Sequence, residues 1–377
     1  MPWQETRTYD YEDKIQFFFA LFSNDSVFVG GKKYPLGQIT TEFLNLDTKT
    51  IDLLALHGAM FDGYAEEVLL KGSEADQNNP AVLADVQDKL NWILDWFLKL
   101  PLYRDLNMDH DRLRNLFILT RKEKPEMWKR MMTLGTSERK YFSALTSQFS
   151  INAVQLLTFR HYVTPMLDIF FERLKKRNAE AYAVGLYKFF GDLDTLNTLA
   201  SALPDEKIYQ FPQMCDATQQ YVPMPDPTDK MRYILAERMA FIRLGDFLQT
   251  DFFRALQHGN APRRCHNCGR FFLLTAGYNT CYCNNIAPGE AERTCRKVGA
   301  HKKAAANEKT PAQVEYQRVY NRLKTQKSRG KISVDEWNAA VARALEVKDR
   351  AERGELSDEE MKAAFQGMGS GGRSVAR

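Results

Sequence analysis

From about residue 48 onward, apolar positions recur with a helical period of three to four. The run from Val86 to Leu100 puts Val86, Leu90, Ile93 and Phe97 on one stripe and Trp92 and Trp96 on its neighbour, and Pro101 stops it. The same spacing predicts helices around 110–121, 124–134, 137–148, 151–176 and 178–190, with a kink or split at Pro165. Leu156, Phe159, Val163, Leu167, Phe170 and Leu174 read as a core-facing stripe. Nearer the start, residues 10–24 read as a short helix with Ile15, Phe18, Phe19 and Phe22 inward. Val27 to Val29, Gly30-Gly31 and a return toward Tyr34, limited by Pro35, predict a small hairpin.

The pattern breaks between 204 and 227, where Pro204, Pro212, Pro223, Pro225 and Pro227 exclude a continuous helix. Short strands at IYQF and QYVPM fit this stretch, as does an extended connector. Asp226-Pro227 then reads as an N-cap with proline in the first turn, opening a helix to about 243. Leu244, Leu248, Phe252 and Leu256 predict another helix, ended by Gly259 as C-cap. Thr310-Pro311 opens a helix to about Lys327, with Val314, Val319, Tyr320 and Leu323 as its apolar positions. Ser333 with Glu336 and Ser357 with Glu360 are capping boxes for helices near 334–353 and 358–366. Trp337, Val341, Leu345 and Val347 are expected to pack back on the helix before them.

The expected fold is mainly α. Its parts are a helical body (1–203), a Pro-rich connector (204–227), helices (228–262), a basic module (263–331), C-terminal helices (332–366) and a disordered tail (367–377).

Candidate chemistry concentrates in residues 263–303, which hold five of the six cysteines. Without a secretory signal in the sequence, crowded thiols point to metal binding ahead of disulfides. Cys265 and Cys268 are separated by two residues and followed by Gly269, which can take the positive φ that turns amides toward a ligating sulfur. Cys283 and Cys295 complete a four-thiolate set for one structural Zn2+, with Cys281 as alternate to Cys283 and His266 or His301 as further alternates. Four thiolates leave no open position, so such a zinc stabilises a fold and does not activate water.

The string from Cys265 to Phe272, the Tyr282-Cys283-Asn284 step, Pro288-Gly289, and Thr294-Cys295-Arg296 followed by Gly299-Ala300 resemble the C-terminal part of an uncharacterised bacterial family, a domain of unknown function. A looser similarity runs to the CGNR-type zinc fingers of bacterial transcription regulators, although Cys295-Arg296-Lys297-Val298 stands where that tetrapeptide would be. The resemblance covers about 263–330 and implies zinc ligation; DNA binding is implied only by the looser relative.

Charge sharpens the expectation. Residues 263–331 carry 15 Lys/Arg against 4 Asp/Glu, whereas 1–262 carry 30 against 35. A basic block on an acidic body is the footprint of a polyanion-binding module. Arg264, Arg270, Arg296, Lys297, Lys302 and Lys303 are the candidate phosphate contacts. The competing role for Arg263, Arg264, Arg270, Arg293 and Arg296 is neutralising the doubly negative zinc centre. A protein-docking scaffold built on the zinc module and tail helices is the alternative function.

An enzyme is the third reading, since no phosphate-binding glycine loop, nucleophile elbow or His-Glu-x-x-His occurs, and Asp109-His110-Asp111 reads as a helix start. The acidic N-terminal stretch and the lack of a long uncharged apolar run predict a cytoplasmic protein with no membrane contact.

Overall fold

The computed structural model describes residues 18–106, 108–202, 215, 217–226, 229, 231–306 and 310–368, with the side chains of 303–306 and 367 outside that description. Residues 10–17 of the predicted first helix, the IYQF strand and the tail from 369 lie outside the described residues. The chain divides into one unit ending at Arg296 and a second beginning at Lys297.

In chain order the first unit opens with strands β1 (Phe18–Phe22), β2 (Ser26–Val29) and β3 (Lys32–Pro35), then helices α1 (Gln38–Leu44) and α2 (Thr48–Ala65). There follow α3 (Glu74–Asn78), α4 (Pro80–Phe97), α5 (His110–Leu113), α6 (Leu116–Glu123), α7 (Pro125–Met132) and α8 (Ser137–Pro165). After α9 (Ala179–Gly191) and α10 (Leu193–Ser201) come β4 (Ala217–Pro225), β5 (Tyr233–Phe241), α11 (Leu244–His258), β6 (Ala261–Arg264) and β7 (Phe271–Leu274). Helix α12 (Cys295–Ala306) crosses into the second unit, which continues with α13 (Pro311–Ser328), α14 (Val334–Glu352) and α15 (Asp358–Gly367).

Helix dominates, as the periodicity predicts, but a five-stranded antiparallel sheet in the order β3-β2-β1-β5-β4 corrects two expectations. Phe18–Phe22 is a strand where a helix was expected: Phe18, Ala20 and Phe22 are buried and Phe19 and Leu21 half-buried, the period-two alternation of a strand with one face on the core. Residues 233–241 are likewise a strand and not a helix, because they lie between β1 and β4, pairing with β4 from Tyr233 to Phe241 and with β1 from Glu237 to Phe241. Asp226 closes the β4–β5 connection, accepting no helix, with its amide donating to the Arg232 carbonyl at 2.7 Å. The QYVPM strand lies within β4, and the hairpin across Gly30-Gly31 forms as β2 and β3.

The helical body packs α2 against α8, with α4, α6 and α7 alongside. The two long helices approach so closely at Gly58 that a Cβ there would sit 2.6 Å from the Ser150 amide nitrogen. Helix α8 runs unbroken where a gap near 149–150 was expected, because Phe149, Asn152 and Ala153 all face the interior. Pro165 cannot donate to the ladder, and from Met166 to Phe171 the backbone widens into a π turn. That turn presents Asp168 and, at its end, Glu172 toward β6.

Helix α11 seats the C-terminal part of the unit on this body through Phe247, Leu248 and Phe252, all fully buried. It also carries Asp251, whose carboxylate accepts from the Gly37 amide (2.9 Å), the Thr40 amide (3.1 Å) and the Thr40 hydroxyl (2.7 Å). Gly37 has no side chain to cap α1, so a residue more than two hundred positions away satisfies its first amides. Burial pushes the Asp251 carboxyl up, against these three hydrogen bonds.

The second unit packs α13, α14 and α15 around Ala312, Val319, Leu323, Ala344, Met361 and Phe365. Both capping boxes form as read, and Thr310 caps α13 ahead of Pro311. Trp337, Val341 and Val347 pack on this core, whereas Leu345 and Val314 face outward.

Candidate metal centre

The centre is assembled by three pieces of backbone. Strands β6 and β7 pair with Arg264 opposite Phe271, and the knuckle between them is closed by the Cys265 amide on the Arg270 carbonyl and the Gly269 amide on the Cys265 carbonyl, both 2.9 Å. Gly269 takes φ +74°, the left-handed conformation expected of it. The second piece, around Cys283, is fastened by the His266 amide to the Cys281 carbonyl at 2.9 Å. The third is the first turn of α12, where the Cys295 amide donates to the Asn285 carbonyl (2.8 Å) and the Arg296 amide to the Cys283 carbonyl (3.0 Å).

These pieces bring Cys265, Cys268, Cys283 and Cys295 together, with their sulfurs all within 4.8 Å of one another. Cys268 and Cys283 are 3.7 Å apart, sulfur to sulfur. Four ligands about 2.3 Å from a tetrahedral ion stand about 3.8 Å from each other, so the donor set fits a single ion of that kind. Cys265, Cys283 and Cys295 are buried and Cys268 is partly so. The Cys283 amide points at the Cys265 sulfur (3.4 Å) and Asn267 Nδ2 at the Cys295 sulfur (3.4 Å), contacts that favour thiolates.

Burial raises the Cys265 thiol, but the amides of Cys283, Cys268 and Asn267 outweigh it and bring the group down to about 7. Burial raises Cys268 and Cys283.

Cys281 and His266, the alternates, stand outside this set. They meet instead at Glu172, and their three donor atoms also lie within 4.8 Å of one another. His301 is exposed on α12 and joins neither group among the described residues.

The arginines divide by partner. Arg263 is buried and grips Glu172 with Nη2 at 2.7 Å and Nε at 3.1 Å, while its Nη1 reaches the Thr280 carbonyl at 2.9 Å. Arg264 donates to Asp168 and to the Gly269 carbonyl and lies 4.2 Å from the Phe271 ring centre. Arg293 pairs with Glu290. Arg270, Arg296, Lys297 and Lys302 are exposed; the Lys303 side chain is outside the described residues. Neither Asp168 nor Glu172 was singled out in the sequence, because each sits more than ninety positions from the arginine it holds.

Elsewhere in the first unit a wide cleft of about 1160 Å3 opens between the β4–β5 overhang, the β1–β2 turn and α11. Within it Arg254 pairs with Glu237 at 2.6 Å, and the Ser26 hydroxyl donates to Asp25 at 2.6 Å. Asp109 caps α5, its side chain accepting from the Arg112 amide, as its reading as a helix start expects. No helix among the described residues is long and apolar enough to cross a membrane.

No curated protein and no solved structure matches the chain. Residues 212–367, which take in β4, β5, α11, the four-cysteine centre and the three C-terminal helices, match the model of a family described only as a family of unknown function (DUF6076).

Proposed function

We propose that the four-cysteine centre holds one structural Zn2+ and that the protein is a non-enzymatic binder of nucleic acid, contacting its phosphates. An all-thiolate tetrahedral donor set is the preference of zinc among abundant divalent ions, and it leaves no position for substrate. When bound, zinc would supply the cation that lets all four thiols ionise together. The chain's own amides and Asn267 orient the sulfurs.

The observation that supports binding is the helix that begins at the last ligand. Arg296, Lys297 and Lys302 are exposed on α12, and Arg270 is exposed on the knuckle. Such cations neutralise phosphates without reading bases. Arg264 leaves the expected contact set, since its guanidinium is committed to Asp168.

The test is fluorescence-anisotropy titration of mixed-sequence duplex DNA and of single-stranded RNA at two salt concentrations. Wild type is compared with Arg270→Gln/Arg296→Gln/Lys297→Gln/Lys302→Gln. Binding that weakens steeply with salt and falls at least tenfold in the variant supports the reading. Absence of binding at low salt overturns it and leaves a protein-docking scaffold as the function to examine.

A further inference from the structure

We propose a second metal site, made by Glu172, His266 and Cys281, beside the four-cysteine centre and chemically unlike it. It is independent of the nucleic-acid reading. The donors are one carboxylate oxygen, one imidazole nitrogen and one thiol sulfur, all within 4.8 Å of one another. His266 Nε2 and Glu172 Oε1 are 3.1 Å apart. Two ligands on a tetrahedral zinc at about 2.0–2.2 Å stand about 3.3–3.5 Å from each other, so little movement would turn this contact into shared coordination.

Each donor is already held by bonds that a metal would not break. Glu172 sits at the end of the π turn and is fixed by Arg263 at 2.7 and 3.1 Å, and Arg177 donates to its backbone carbonyl at 3.0 Å. A carboxylate has lone pairs enough to accept from arginine and ligate an ion together. His266 and Cys281 are tied to each other by the 2.9 Å backbone bond. Ligands fixed by outer bonds in this way bind with less loss of freedom.

The two nearby guanidiniums do not exclude a cation. A divalent ion with one thiolate and one carboxylate is formally neutral, so Arg177 and Arg263, which both also pair with Glu172, would face no net positive charge there. His266 is exposed while Glu172 and Cys281 are half-buried, which gives an ion a way in. Mixed sulfur, nitrogen and oxygen donors suit zinc, and three ligands leave one position for water or a small anion.

The experiment counts zinc per chain by elemental mass spectrometry on full-length protein purified with zinc present. Wild type is compared with His266→Ala, Cys281→Ser, their double variant and Cys265→Ser, with circular dichroism as a folding control. About two zinc ions in wild type, falling by one in each of the first three variants with unchanged helicity, supports the second site. Should a variant lose helicity, stepwise removal from wild type with a graded chelator replaces it; two separate release steps support the site and a single step of one equivalent counts against it. One zinc in wild type, lost only in Cys265→Ser, overturns the proposal and leaves the four-thiolate centre standing. Two ions retained in the double variant also overturn it, and none in wild type overturns both sites.

Discussion

Arg264 gives Asp168 three hydrogen bonds, two from Nε at 3.0 Å and one from Nη2 at 2.8 Å, while its guanidinium lies over the Phe271 ring. The pair joins strand β6 to the π turn after α8, so the cation expected to meet phosphate instead fastens the knuckle to the helical body. Replacing Arg264 with Gln should leave nucleic-acid affinity within about twofold. Stability should fall by about 1 kcal/mol, a modest figure because both side chains are partly exposed to screening solvent. Urea unfolding and anisotropy titration on the same preparation check the two halves of this expectation.

Metal removal should act locally. A structural zinc in such a setting contributes on the order of 10 kcal/mol to the fold it holds. Stripping it with a strong chelator is expected to release the amides of residues 261–296 to hydrogen exchange, while α2 and α8, packed on each other through Phe61 and Phe149, stay protected. Uniform loss of protection, or none, would contradict the assignment.

Acid should act through Asp105, whose carboxyl is buried yet bonded to Lys32 Nζ (2.5 Å) and the Tyr34 hydroxyl (2.6 Å). Burial raises it, and Lys32, Tyr34 and Arg104 outweigh that, leaving the group below the usual carboxylate range. The unfolded chain therefore takes up the proton at higher pH than the folded one. The stabilisation is complete above about pH 4, the unfolded value, and disappears as pH falls through the folded one. Asp105→Asn should lower stability at pH 7 and flatten the fall of the melting temperature as pH drops below about 4.

Removing the remote cap of α1 should cost more than an ordinary surface change. Asp251→Ala strands two buried amides and a hydroxyl, and a loss of about 2–4 kcal/mol is expected. Thermal unfolding measures it, and a change under about 0.5 kcal/mol would mean that water takes over the cap.

Local signals carried much of this structure. The pair Cys265 and Cys268 with Gly269, the hairpin at Gly30-Gly31, and the caps at Asp109, Thr310, Ser333 and Ser357 are each decided within a few residues, and each is found where the sequence puts it. Strands β1 and β5 were misread for a common reason. Phe18–Phe22 is a short unbroken apolar run that periodicity alone cannot type, and the helix read over β5 rested on the Asp226-Pro227 cap signal, which is local and blind to strand partners. What makes them strands is each other, across more than two hundred positions, with Phe18 opposite Phe241. The partners of Arg263 and Arg264 were hidden likewise, since nothing near Asp168 or Glu172 marks them.

Strand β5 lies between β4 and β1, and that places a seam inside the sheet. The stretch matched by the family of unknown function begins at residue 212 and brings only β4 and β5 to it. Cut out alone, it would bare the whole β5 edge that Phe18–Phe22 covers, an invitation to pair with other chains. The matched stretch is thus a tenant of the chain's first third, from which it borrows the strand that closes its sheet edge.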